Sequence, residues 1–268
     1  MAYTEEDVSN LIEYLKENKD DSENWHLLGV MLLAFKKRDD AEIAFRQCVN
    51  LDKNNAFAWG DLGGLYILKA KLKDAIKCLE KSVKLGPENH EYWSALGTAY
   101  LLKHKGKEAV TAFQKALFLK PDYFDAIVSL GMTYHNLESW EEAKDFLERA
   151  LRIEPDNYAI LKALAKCLMK LGRDDELEKM YLRMLELEPE DYSLLLYLGQ
   201  LELKNHRNQE ALDYYNRFLK MQPNSFIAWE LVAECLNAMG KNTEAAIALE
   251  KMKELKKKLA VETGQLIG

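Results

Sequence analysis

Every proline in this chain falls in one register. Pro87, Pro121, Pro155, Pro189 and Pro223 are the five prolines, and each follows the last by 34 residues. A proline fixes φ and removes a backbone donor, so it ends a helix or turns the chain. A fixed interval between prolines therefore cuts the chain into units of equal length. Trp25, Trp59 and Trp93 keep the same interval, and Trp229 stands four intervals beyond Trp93. Gly29, Gly63, Gly97, Gly131 and Gly199 keep it too, with Ala165 and Ala233 in the two gaps. Ala41, Ala75, Ala109, Ala143, Ala211 and Ala245 form a further series, broken only by Leu177. Self-similarity at such a period is the mark of a repeat array.

One period holds two helices. Trp93, Leu96, Gly97 and Tyr100 fall at i, i+3, i+4 and i+7, the apolar face of a first helix. His104, Lys105, Gly106 and Lys107 read as a short polar turn, and Ala109, Phe113 and Ala116 mark the buried stripe of a second helix ending before Pro121. An interior glycine weakens a helix; here glycine and alanine at the two small places let paired helices approach closely. The residue before each small place of the second helix is acidic in all seven periods: Asp40, Asp74, Glu108, Glu142, Glu176, Glu210 and Glu244. A carboxylate there favours the positive end of the helix dipole, so the series is structural.

This pattern resembles the tetratricopeptide repeat (TPR) family, most closely at Trp93, Leu96, Gly97, Tyr100, Ala109, Phe113, Ala116 and Pro121. Seven repeats are expected, at 22–55, 56–89, 90–123, 124–157, 158–191, 192–225 and 226–259. The resemblance implies an all-α fold, a single right-handed superhelical solenoid with capping helices at both ends. Val8, Leu11, Ile12 and Leu15 predict a lone second helix over 5–17, and the last helix is expected to run past 259 into the tail. Open-ended arrays need such polar lids.

The resemblance further implies a scaffold or adaptor that binds a peptide or partner helix along the first helices, without catalysis. The face of each first helix not used for packing supplies the candidates. Val30 and Leu33, then Phe57, Gly60, Gly64 and Ile67, then Ser94, Thr98 and Leu101, then Val128 and Met132 offer apolar or small surface. Glu23, His26, Glu91, Asp125 and His135 interrupt it. In the fifth repeat Lys162, Lys166 and Lys170 make a basic ladder at i, i+4 and i+8, with Lys204 a further member, and Glu230 and Glu234 turn the far end acidic. The expected ligand is a segment with apolar anchors on repeats 1–4 and acidic residues or a carboxylate at the ladder; the alternative is a solvated lysine face. Gly60 and Gly64 are surplus to the repeat's packing glycine, Gly63. They open a pocket, or they are soft helix tolerated by its neighbours. The carboxylate clamp with which some relatives grip chaperone tails is not reproduced in any three successive repeats.

Departures from the repeat gather in one place. Leu177 and Ala165 enlarge both small positions of repeat 5, which predicts a splayed helix pair. Glu202 stands where tyrosine or leucine is usual, so that helix is rotated or Glu202 reaches a lysine of the ladder. Repeats 5–6 are expected to form a local joint.

Composition bounds the remaining possibilities. Apolar residues make up 48% of the chain, enough for a continuous core, and the net charge of −7 argues against nucleic acid as a partner. Cys48, Cys78, Cys167 and Cys235 form no CxxC pair and read as small buried hydrophobes. The five histidines show no metal spacing, and no nucleophile or phosphate-loop motif occurs. No cofactor, metal or enzymatic activity is expected. No apolar run approaches the ~18 residues of a membrane span, and the polar, acidic start MAYTEEDVSN is not that of a signal peptide, which points to a cytoplasmic protein. The competing function is self-association or service as a regulatory subunit, with Val261, Leu266 and Ile267 of the tail docking into a groove.

Overall fold

A computed structural model describes residues 3–262, with side chains through 260. Among the described residues there are fifteen helices and no strand. Helix α1 (Glu5–Glu17) stands alone, and seven helical hairpins follow. The first helices are α2 (Ser22–Ala34), α4 (Ala56–Leu68), α6 (His90–Leu102), α8 (Phe124–Asn136), α10 (Tyr158–Leu171), α12 (Ser193–Lys204) and α14 (Phe226–Ala238). The second helices are α3 (Arg38–Leu51), α5 (Leu72–Leu85), α7 (Gly106–Leu119), α9 (Trp140–Ile153), α11 (Asp174–Leu187), α13 (Asn208–Met221) and α15 (Asn242–Glu262). Six first helices begin where the period places them, and α12 begins one residue late. The turn after α6 is shorter than the sequence suggests, because Gly106 and Lys107 already belong to α7.

The helices group into two compact units, α1–α9 and α10–α15, divided between Ile153 and Glu154 in the turn before repeat 5. Within each unit, first and second helices pack in sequence order, each hairpin on the next. Ala41, Ala75, Ala109 and Ala143 are fully buried in unit 1, and Ala211 in unit 2. The in-phase glycines receive a side chain of the paired helix. A Cβ added to Gly29 would fall 2.5 Å from the Phe45 ring, one on Gly63 2.6 Å from Leu79, and one on Gly131 3.1 Å from Leu147. In unit 2 the Tyr215 ring fills the same place over Gly199. Real Cβ contacts are not shorter than 3.0 Å, so Gly29, Gly63 and Gly199 are required by the ring or leucine above them, while at Gly131 Leu147 would have to give way.

Repeat 5 departs as the enlargements predict. Ala165 takes the glycine place, and Tyr181, at the position of Phe45 and Tyr215, is only partly buried and stacks on Tyr197 with ring centroids 5.7 Å apart. Leu177 is buried. Helices α10 and α11 touch less extensively than any other hairpin pair.

Two backbone devices repeat with the period. Each first helix closes with a left-handed residue: Lys36, Ala70, His104, Glu138, Gly172, His206 and Gly240, five of them not glycine. In repeat 2 the Lys71 amide donates to the Tyr66 carbonyl and the Ala70 amide to that of Ile67, the paired bonds of a Schellman closure, and the other six repeat it. The in-phase tryptophans bond as well as pack. The indole N–H of Trp25, Trp59, Trp93 and Trp229 donates to the carbonyl six residues earlier, at 2.8–3.1 Å, tying each inter-repeat turn to the helix it precedes. Asp21, Asn55, Asn89, Asn157 and Ser225 cap the first helices through their side chains. Second helices α3, α5, α7, α11 and α13 carry no such cap, which leaves the acidic series to meet their amino ends.

The terminal helices match their expected extents. In α1, Val8 and Leu15 are buried, while Ile12 is exposed. Helix α15 extends to Glu262, and the proposed docking of Leu266 and Ile267, together with the Val261 side chain, lies outside the described residues.

Candidate functional site

The sequence placed its candidates on the first helices, and the structure sorts them by unit. In unit 1, Val30, Leu33 and Ile67 pack partly against the core, and Thr98, Leu101, Val128, Met132 and His135 are half-buried. Thr98 returns its hydroxyl to the Ser94 carbonyl at 3.1 Å. The His135 ring sits edge-on to Trp140 of its own hairpin, 5.4 Å between centroids. Phe57 differs from all of these: it is 59% exposed.

Around Phe57 lies a network the sequence did not announce. Asp61 receives a hydrogen bond from the Tyr92 hydroxyl at 3.0 Å and pairs with Nε2 of His26 at 2.8 Å. The Tyr92 hydroxyl also lies 3.3 Å from the Phe57 carbonyl, and the two rings meet edge-on. Burial and the neighbouring Asp61 carboxylate push the Tyr92 phenol far above its ordinary pKa, so it remains a donor. One side chain from each of α2, α4 and α6 is thus locked together.

The surplus glycines separate here. Gly60 is buried beneath the Tyr92 ring, so its bare backbone serves packing between repeats and is closed to a ligand. Gly64 has no atom within 4 Å of an added Cβ and is open.

In unit 2, Lys162, Lys166 and Lys170 are all exposed along one face of α10, and among the described residues none forms an ion pair. Lys162 lies near enough to Asp191 to help hold that carboxyl below its usual range, after the hydrogen bonds from Ser193 and Tyr158. Lys170, in the last turn, also favours the negative end of its helix. Lys204 is drawn aside to Asp174, 2.7 Å away. Glu230 pairs with Lys256 at 3.4 Å.

Glu202 does not reach the ladder. It is buried in the repeat's usual phase and bonded to Arg207, which also holds Glu178 at 2.9 Å. Lys71 meets Glu42 in the same way four repeats earlier, at 3.3 Å. Five residues separate Glu202 from its partner across the hairpin turn, a distance that helical spacing does not flag.

Chemistry of a catalytic kind finds no support in the thiols. All four cysteines are free and buried, and burial raises each to a pKa of about 11, far from a reactive thiolate. Among the described residues no group of three His, Cys, Asp or Glu side chains gathers as a metal site, and no helix is long and apolar enough to cross a membrane.

Hairpins of this length, with a glycine slot, a left-handed closure and a tryptophan-pinned turn, define a helical-repeat protein. Tetratricopeptide repeat models match residues 22–55, 69–124, 138–201 and 196–258. The chain belongs to the tetratricopeptide repeat family. Among solved structures it is similar to YrrB, described as a TPR protein with an unusual peptide-binding site (TM-score 0.62, 20% identity, 69% of this chain and 95% of that one). It is also similar to MamA (0.59, 25%, 64% and 94%) and to PilF of Pseudomonas aeruginosa (0.56, 19%, 80% and 97%). The likenesses to YrrB and PilF show the fold. No curated protein matches the chain in sequence.

Proposed function

We propose that this protein is a non-catalytic interaction scaffold that holds polypeptide segments on the exposed faces of its first helices. Unit 1 supplies apolar contacts, and the lysine ladder of unit 2 takes acidic residues or a carboxylate. The observation that carries the reading is the ladder. Three exposed lysines share one face of α10 without forming an ion pair among the described residues, Lys162 only acting on Asp191 through its charge, whereas Lys69, Lys71, Lys204 and Arg207 are held in ion pairs of the fold. A surface of like charges at helical spacing favours binding of the opposite charge. That YrrB is a TPR protein with a peptide-binding site agrees in kind.

Titration of the full chain with a fluorescent glutamate-rich peptide tests the ladder by anisotropy. Binding that weakens with salt and is lost in Lys162→Glu/Lys166→Glu/Lys170→Glu supports the reading. Equal binding by both chains contradicts it.

A further inference from the structure

We propose that the first-helix face of unit 1 selects a basic polypeptide segment bearing a bulky apolar side chain, which lies on the bare backbone of Gly64 while Phe57 packs against the same segment. The inference rests on the scaffold reading above and adds the chemistry that this unit selects.

Gly64 is the first ground. A glycine inside a helix weakens it, and elsewhere in the first helices that weakening has a visible cause. Gly29, Gly63, Gly97, Gly131 and Gly199 admit the side chain of the paired helix, and Gly60 admits Tyr92. At Gly64 the fold places nothing, so the fold does not require glycine there. A requirement from outside remains: close approach of a ligand, which any side chain would hold off.

Phe57 is the second ground. It stands two turns before Gly64 on the same helix face, about 10 Å along the axis. Its ring is exposed, yet its surroundings are fixed by Tyr92, Asp61 and His26. A large apolar side chain held to water on a rigid support is prepared to bind with little loss of freedom.

Charge names the partner. The position of Phe57 in the repeat is filled by Glu23 in α2, Glu91 in α6 and Asp125 in α8. All three are exposed, and none forms an ion pair among the described residues. One row thus reads acid, aromatic, acid, acid, the complement of a segment with lysines or arginines around its apolar anchor. This is the opposite preference to that of the α10 ladder.

The test uses random peptides displayed on phage, selected on the full chain and then passed over Gly64→Leu. Leucine is a strong helix former and its Cβ meets no neighbouring atom of the fold, so this variant is expected to keep its structure, and a urea midpoint no lower than that of wild type is required before its binding is read. Peptides lost on the variant are expected to be rich in lysine or arginine around an aromatic or leucine residue. They should bind the wild-type chain about tenfold or more tightly than Gly64→Leu or Phe57→Ser, and should weaken as salt rises. Lost peptides that prove acidic or uncharged would overturn the charge assignment, and a pool retained in full would overturn the site. Binders that depend only on Lys162, Lys166 and Lys170 would overturn this inference while leaving the scaffold reading intact. A chain that selects no peptide at all would remove both.

Discussion

The ring of Phe113 occupies the space that any side chain at Gly97 would need: a Cβ there would fall 2.7 Å from the ring. Gly97→Ala therefore sets a gain in helix propensity of about 0.5–1 kcal/mol against overpacking of about 1–3 kcal/mol, with Phe113 fully buried. The expected result in urea unfolding is a net loss of stability. Gly64→Ala, with open space around it, should stabilise the same unit by about 0.5–1 kcal/mol. Similar effects of the two substitutions would contradict the distinction drawn between a packing glycine and an open one.

Ala70 closes α4 at φ 54°, a conformation that strains a residue with a Cβ by roughly 1–2 kcal/mol. Ala70→Gly relieves that strain while keeping the hydrogen bonds that the Ala70 and Lys71 amides make. A rise in the urea midpoint is expected, whereas the same substitution at a buried position such as Ala75 should lower it. Loss of stability in Ala70→Gly would show that the closure depends on the alanine side chain.

Two buried glutamates should respond to pH in opposite senses. Burial raises the Glu42 carboxyl, but hydrogen bonds from Lys69 and Lys71 and the charge of Arg46 outweigh it, and its pKa falls below the ordinary value. Its stabilising contribution is thus present above the ordinary carboxylate pKa and is lost as pH falls through the folded value. For Glu202, burial is the largest influence and raises the pKa, with Glu178 adding to it and Arg207 opposing. That group destabilises the fold at neutral pH, and the penalty lifts as pH falls toward the ordinary value. In urea melts across pH, Glu42→Gln should lose about 1–3 kcal/mol at neutral pH, with the deficit narrowing in acid. Glu202→Gln should compare best with wild type near neutral pH and less well in acid. Parallel pH profiles for the two variants would contradict the assignment.

Repeat 5 should be the weak hairpin. With Ala165 in the glycine place and Tyr181 turned onto Tyr197, α11 lacks the ring-in-slot contact that pins α3 and α7. Low local packing lowers the free energy of local opening. Amide hydrogen exchange is expected to be faster in α11 than in α5 or α7. Equal protection would remove the idea of a joint at repeats 5–6.

The hairpins were readable because proline, tryptophan, glycine and alanine each fill a place whose geometry recurs; a period in sequence then becomes a period in space. What the sequence hid depends on neighbours. Lys36, Ala70, His104, Glu138 and His206 share a left-handed backbone without sharing a side chain, because the closing hydrogen bonds impose it. From the sequence Gly60 reads equally as a pocket or as tolerated soft helix, and only Tyr92, from the next hairpin, shows that its place is filled. The His26, Asp61 and Tyr92 network joins three first helices at different repeat positions, so no periodic pattern marks it. Lysine spacing did place Lys162, Lys166 and Lys170 on one exposed face, but Lys204 belongs to Asp174 and Glu202 to Arg207.

The most direct measurement is affinity capture from the source lysate on wild-type chain and on folded Lys162→Glu/Lys166→Glu/Lys170→Glu, with the bound proteins identified by mass spectrometry. The scaffold reading expects at least one protein retained by wild type and lost by the variant, carrying an acidic segment that alone competes for binding. Identical recovery by the two chains, with no competition by acidic segments, would contradict it.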